Sequence, residues 1–216
     1  MTAEFAPASS LSGYKLDRDV FLVNQKHLSL GKSKYFVYGE AGEPLFYVER
    51  PVMRLFGRRA DISFFEDESG GEPVLTLKQD HGYEFRRREY TLVDASGATI
   101  ARLRRDNIKA LFRRAWNIED PDGNLIARAL EDSAFMSVVR RVVDWIPFVA
   151  LLGFVIKTDF HILASDGPNE TKIGSFDRKI GLGDKYVLNL REDASRRFDR
   201  RIAVALGILL DTAEAR

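Results

Sequence analysis

Apolar runs and polar turns alternate along most of this chain, and the alternation repeats. Residues 35–38 (Tyr-Phe-Val-Tyr) give way to Gly39-Glu-Ala-Gly42 and then to Leu45 and Phe46. The same order returns over residues 62–77 around Gly70-Gly71, over 90–103 around Asp94-Ala-Ser-Gly97, over 116–130 around Asp120-Pro-Asp-Gly123, and over 160–176 around Ser165-Asp-Gly167. Each copy sets β-branched and aromatic strand formers on either side of residues that tolerate positive φ or preset a type I turn, which is the signature of a β-hairpin. Gly71, Gly97 and Gly123 are 26 residues apart, whereas the step from Gly123 to Gly167 is 44, a surplus of 18. The surplus falls where Phe135, Val139, Val142, Val143 and Ile146 recur at helical spacing. Five hairpins and one inserted helix near 133–147 are therefore expected, with about ten strands in the hairpins.

Within the strands, Ile100, Ala101 and Leu103 are offset by Arg102 and Arg104. One face is dry and the other wet, as in an antiparallel sheet. So many strands must stack as a sandwich or close as a barrel to remove their edges. The chain's end decides between the two. After the strand pattern of residues 186–190 and a charged stretch over 191–201, residues 202–210 (Ile-Ala-Val-Ala-Leu-Gly-Ile-Leu-Leu) contain no polar side chain. A helix that is apolar all round is buried all round. At ~1.5 Å per residue it is ~13 Å long, which suits the inside of a barrel and is too short for a bilayer. The sequence predicts a mainly β protein, an antiparallel barrel with this helix threaded through its centre.

The other apolar stretch, residues 146–156, has eleven residues against the roughly 20 a spanning helix needs, and Pro147, Asp144, Arg141 and Arg140 interrupt its extension. Residues 1–12 lack the positive start and apolar core of a secretory signal. A cytoplasmic location, peripheral to membranes at most, is the expectation. With no cysteine and three histidines, disulfides, thiolate zinc sites and cysteine nucleophiles are excluded. Lys+Arg 33 against Asp+Glu 32 gives a net charge of +1, so no global field points to nucleic acid.

The short motifs fail on mechanical grounds. Gly31-Lys-Ser33 lacks the upstream glycine and following helix of a phosphate-binding loop. Gly181-Leu-Gly183 has Tyr186 where a dinucleotide loop needs glycine. In Asp120-Pro-Asp-Gly-Asn124 the glycine is fourth, whereas a calcium loop needs it sixth. His27, His81 and His161 are far apart in the chain, and none has a second histidine three or four residues on. No metal, no cofactor and no catalytic residue is expected.

The stretches at 21–26 (Phe-Leu-Val-Asn-Gln-Lys), 34–38, 42–49, 173–179 (Ile-Gly-Ser-Phe-Asp-Arg-Lys), 184–188 and 199–211 resemble the LURP-one-related proteins and the related phospholipid scramblases. The resemblance implies a tubby C-terminal-like fold: about twelve strands around a C-terminal helix, residues 19–213 as one domain and residues 1–18 as a flexible N-terminal segment. It implies no enzymatic activity, and its tubby and scramblase branches are associated with phosphoinositides or phospholipids. The chain departs from the scramblases where Arg191-Glu-Asp-Ala-Ser-Arg-Arg-Phe-Asp199 replaces an acidic calcium-binding segment, and where no cysteine is present for acylation.

Local charge supplies the candidate site. Residues 50–60 hold Arg50, Arg54, Arg58 and Arg59 without an acid. Residues 61–85 hold seven acids against Lys78, and residues 86–114 hold nine basic residues against Glu89, Asp94 and Asp106. Arginine outnumbers lysine 23 to 10, and its planar fork suits phosphate. The expected function is a non-catalytic binding or scaffold module, with Arg86, Arg88, Arg104, Arg113 and Arg140 as candidate ligands for anionic phospholipid headgroups. The competing expectation is a protein partner or a second copy meeting segregated basic and acidic bands, with a hydrolase a distant third for want of a visible nucleophile and base. The bland alternative is that cross-strand pairs satisfy these charges.

Overall fold

The computed structural model describes residues 13–29, 32–51, 61–80, 89–106, 114–131, 160–167, 169–179 and 185–214. A single helical turn, α1 (Gly13–Leu16), leads into β1 (Val20–Ser29). Five hairpins follow: β2 (Lys32–Gly39) with β3 (Pro44–Pro51), β4 (Ile62–Phe65) with β5 (Leu75–Gln79), β6 (Glu89–Asp94) with β7 (Thr99–Arg105), β8 (Ala115–Glu119) with β9 (Leu125–Glu131), and β10 (Phe160–Asp166) with β11 (Asn169–Lys179). Then come β12 (Lys185–Asn189) and the helix α2 (Arg200–Glu214). Each strand pairs antiparallel with its neighbours in sequence, and β1 closes on β12 from Val20 opposite Asn189 to Asn24 opposite Lys185. The result is a closed twelve-strand barrel, as expected from the hairpin rhythm and the resemblance. The inserted helix expected near 133–147 lies outside the described residues.

Three turns share one geometry. In each, the first residue's N–H donates to the carbonyl four residues on: Gly39 to Glu43, Asp94 to Ala98 and Asp120 to Asn124, at 2.9, 3.0 and 2.9 Å. The residue before the last is a glycine at φ of 85° to 89° (Gly42, Gly97, Gly123), a conformation that a side chain resists. A type I turn followed by a left-handed residue matches strand twist in a three-residue loop. The turn at Gly70-Gly71 is longer, with Val74 N–H donating to the Phe64 carbonyl. The repeat of geometry therefore runs through Gly42, Gly97 and Gly123, not through Gly71.

The barrel is filled by α2. Ile202 to Leu206 and Ile208 to Leu210 are at most 1% exposed. They pack on inward strand residues such as Phe21, Val48, Phe64, Leu77, Leu103, Ile118, Phe160 and Leu188. Six of these helix side chains are Val, Ile or Leu, each worth ~1.5–3 kcal/mol when fully buried, so burial here contributes on the order of 10 kcal/mol. Asp199 starts the helix: its carbonyl accepts from Ala203 N–H at 3.1 Å, and its Oδ1 from Arg201 N–H at 2.8 Å. Gly207 lets the helix approach the wall, because a Cβ there would stand 3.1 Å from the Phe176 ring.

Candidate functional site

The two ends of the barrel differ in chemistry. At one end gather all five hairpin turns, α1, the segment between β12 and α2, and the helix N-terminus. This end is closed by apolar side chains and ion pairs. Leu16, Leu190 and Phe198 join the core. Arg200, 7% exposed, donates to Asp193 at 2.5 Å, to Asp19 at 2.7 Å and to the Phe198 carbonyl at 2.8 Å. Asp193 also accepts from Phe198 N–H at 3.0 Å and Arg197 N–H at 3.2 Å. Arg196, at φ 52°, pairs with Asp17 and Asp19, and Arg18 pairs with Glu43. This is the segment that replaces the scramblase calcium stretch; Asp193 and Asp199 are engaged by arginines and backbone N–H groups, and Glu192 by Lys172.

At the other end α2 terminates, and the inward layer turns polar. Cross-strand partners share a face. Arg50 lies opposite Ser33, Arg105 opposite the buried Trp116, Arg178 opposite Tyr186, Glu131 opposite Phe160, Gln25 opposite Tyr35 and Gln79 opposite Tyr90. Arg114 precedes Trp116 by two residues and so takes the same face; its backbone N–H donates to Glu131 Oε2 at 3.2 Å. Arg178 stacks over the Tyr186 ring at 5.9 Å. The last turn of α2 carries Asp211 and Glu214 and no basic residue. Asp211 is 4% exposed and hydrogen-bonds with Tyr35, whose hydroxyl also accepts from Gln25 Nε2 at 3.2 Å. Burial first, and then the Asp211 charge, push the Tyr35 phenol well above its ordinary value, so it stays protonated. Four inward arginines thus surround the negative end of a helix, with Asp211 and Glu131 among them. Trp116 is wholly buried, and its indole N–H meets no acceptor among the described residues.

Outside the barrel, charges pair. Arg104 meets Glu89 at 3.2 Å and Glu119 at 3.4 Å, Arg128 meets Glu170 at 2.5 Å, Lys172 meets Glu192 at 2.8 Å, and Arg197 meets Asp166 at 3.2 Å. Cross-strand neighbours therefore neutralise part of the charge bands.

Of the five arginines selected from sequence, Arg104 is described: it sits on the outer face near the mouth, 47% exposed, with both glutamates on its guanidinium. Arg86, Arg88, Arg113 and Arg140 lie outside the described residues. The strand ends that flank their segments, at Gln79 and Glu89, at Arg105 and Ala115, and at Glu131 and Phe160, all lie at the mouth where α2 terminates. Sequence reasoning passed over Arg105, Arg114 and Arg178 as individual candidates. The signal was present: each keeps the parity of a core residue two positions away, Leu103, Trp116 and Phe176.

Of the discarded motifs, Gly181-Leu-Gly183 and His81 lie outside the described residues. Residues 32–39 continue from Gly31 as a strand. Asp120 caps its turn, accepting from Asn124 N–H at 2.8 Å and Asn124 Nδ2 at 2.9 Å. His161 lies opposite Ser175 on the outer face, but Ser175 Oγ donates its single proton to Asp177 at 2.8 Å. Among the described residues, no group of three metal-ligating side chains occurs, and no helix is long and apolar enough to cross a membrane.

No curated protein matches the chain. A family model does, and its span begins just past β3 and ends at Asp211 in α2. It therefore includes the closing stretches at 173–188 and 199–211 that carried the resemblance, while those at 21–49 precede it. The barrel and this match together fit a non-enzymatic module. The match covers residues 52–211 with the LURP-one-related model, and the chain belongs to the LURP-one-related family.

Proposed function

We propose that this chain is a non-catalytic binding module that docks its helix-C-terminal barrel end on anionic phospholipid surfaces. The observation that carries the reading is the asymmetry of the ends. One end is closed by engaged ion pairs. The strand ends at the other flank residues 30–31, 52–60, 81–88, 107–113, 132–159 and 180–184, whose sequences hold eleven basic residues against five acids. Arg86, Arg88, Arg113 and Arg140 belong to these segments. Near an anionic leaflet each cation contributes ~1 kcal/mol, within a Debye length of ~8–10 Å. Arg104 contributes little, since Glu89 and Glu119 already hold it.

Co-sedimentation with vesicles of phosphatidylcholine, with and without phosphatidylserine, tests the reading. Binding is expected only with the anionic lipid, falling as salt rises. Replacing Arg86, Arg88, Arg113 and Arg140 by Gln together is expected to weaken it by about a hundredfold or more, from ~1 kcal/mol each. Equal, negligible binding to both vesicles would remove the proposal. The rival reading, a protein-pairing surface made of opposite charge bands, is weakened by the cross-strand pairs that neutralise part of the outer faces of β6–β9 and β11.

A further inference from the structure

One band of the outer wall is apolar. Phe36 on β2 lies opposite Tyr47 on β3, and Tyr47 opposite Phe65 on β4. Beside them Tyr38 lies opposite Leu22 on β1, itself opposite Val187 on β12. These six alternate with core residues such as Tyr35, Val37, Val48 and Phe64, so they face outward. Phe36 lies 6.2 Å from the Tyr38 ring and 5.3 Å from Tyr47, and Tyr47 lies 6.2 Å from Phe65. Phe36 is 8% and Tyr47 3% exposed, yet neither belongs to the core cluster. Both rings are thus buried on the outside of the wall, where Lys34 covers part of Tyr47.

The chain's own beginning is close to one end of this band. Lys15 of α1 donates to the Glu66 carbonyl at 3.3 Å, one residue past Phe65, and lies over the Phe46 ring. The twelve residues before Gly13 hold Phe5, Pro7 and Leu11, and Glu4 is their only charged side chain. In an extended segment Phe5, Pro7 and Leu11 share one face. The six residues from Leu11 to Phe5 then span ~20 Å. From Phe65 to Val187 is four strand spacings, ~19 Å. Two residues from Val187, the exposed Lys185 stands where an acid beside Phe5 would meet it.

We propose that residues 1–12 pack across this band as a strap, with Leu11 on Phe65, Phe5 on Leu22 and Val187, and Glu4 beside Lys185. The strap keeps the band from other chains, since a contiguous apolar patch rimmed by polar residues is an association surface. It lies on the side wall and is independent of docking at the mouth.

Electron spin resonance of the full chain tests it. The chain has no cysteine, so Ala8→Cys gives one attachment point for a nitroxide, on the face turned away from the band. The expected spectrum has a slow component that is the same at all protein concentrations. Replacing Phe5 and Leu11 by Ser together should abolish that component, and so should Tyr38→Ser. Leu163→Ser should keep it, because Leu163 faces outward on β10, opposite Arg128 and Lys172. If Tyr38→Ser fails to fold by circular dichroism, the Phe5 and Leu11 pair decides, since it leaves the barrel untouched. A fast label in the parent, or a slow component that survives loss of Phe5 and Leu11, overturns the strap. A slow component that grows with protein concentration also overturns it and assigns the band to a second copy. Any of these results leaves anionic vesicle binding at the mouth standing.

Discussion

The sealed end of the barrel should be held by one buried pair, Asp193 and Arg200. Their side chains are 3% and 6% exposed, so solvent screens neither. Deleting the carboxylate in Asp193→Ala removes a 2.5 Å bond from Arg200 and leaves the N–H groups of Phe198 and Arg197 without their acceptor. Breaking one partner of a buried pair costs about 3–5 kcal/mol. Here Arg200 retains Asp19 at 2.7 Å, and Asp19 is 41% exposed, which places the cost near the lower bound, about 3 kcal/mol. For a chain of this length that is a fall in Tm of about 6–12 °C. Arg200→Met instead strands the carboxylate, and a similar loss is expected. The double variant removes both charges, so it should cost less than the sum by about 1–3 kcal/mol. Urea denaturation of the four proteins, with unchanged slope, provides the cycle. Single variants within about 1 kcal/mol of the parent, or strict additivity, would refute the view that this pair closes the barrel.

Gly174 and Gly207 should answer differently to alanine. At Gly174 a Cβ would stand 2.4 Å from the Asn189 carbonyl oxygen, part of the β12 backbone, so Gly174→Ala should lose about 1–3 kcal/mol or more by thermal melting. At Gly207 the contact is a ring at 3.1 Å and the helix gains about 1 kcal/mol of propensity, so Gly207→Ala should stay within about 1 kcal/mol of the parent. In acid, Asp94 contributes a defined sign. Its carboxyl lies below its ordinary value of 3.8, chiefly through the Ser96 hydroxyl. The folded form thus binds the proton less readily than the unfolded chain, and the stabilisation is complete above that value and lost as pH falls through the lower folded one. The stability gap between parent and Asp94→Asn should close below about pH 4; a gap unchanged in acid would contradict it.

The hairpins were legible because glycine at positive φ and strand alternation are local signals. Gly97 and Gly123 announce their turns without reference to the rest of the molecule. The buried helix was legible for a related reason: nine residues without a polar side chain admit one environment. The binding residues were harder. Arg104 is conspicuous in a basic run, yet two cross-strand glutamates hold it, and those partners come from β6 and β8, 15 residues away in sequence on either side. Arg105, next to it, turns inward because Leu103 does. Which of two adjacent arginines faces the interior depends on register, and which arginines share a mouth depends on barrel closure. Neither is a property of a sequence window. Arg178 joins Arg50 only because β1 closes on β12.

Hydrogen–deuterium exchange of the full chain, with and without phosphatidylserine vesicles, asks directly which end of the barrel meets its ligand. The account predicts added protection at the strand ends around Gln25, Arg50, Gln79, Arg105 and Arg178, with the turns at Gly42, Gly97 and Gly123 unchanged. Protection confined to those turns, or none at either end, would contradict it.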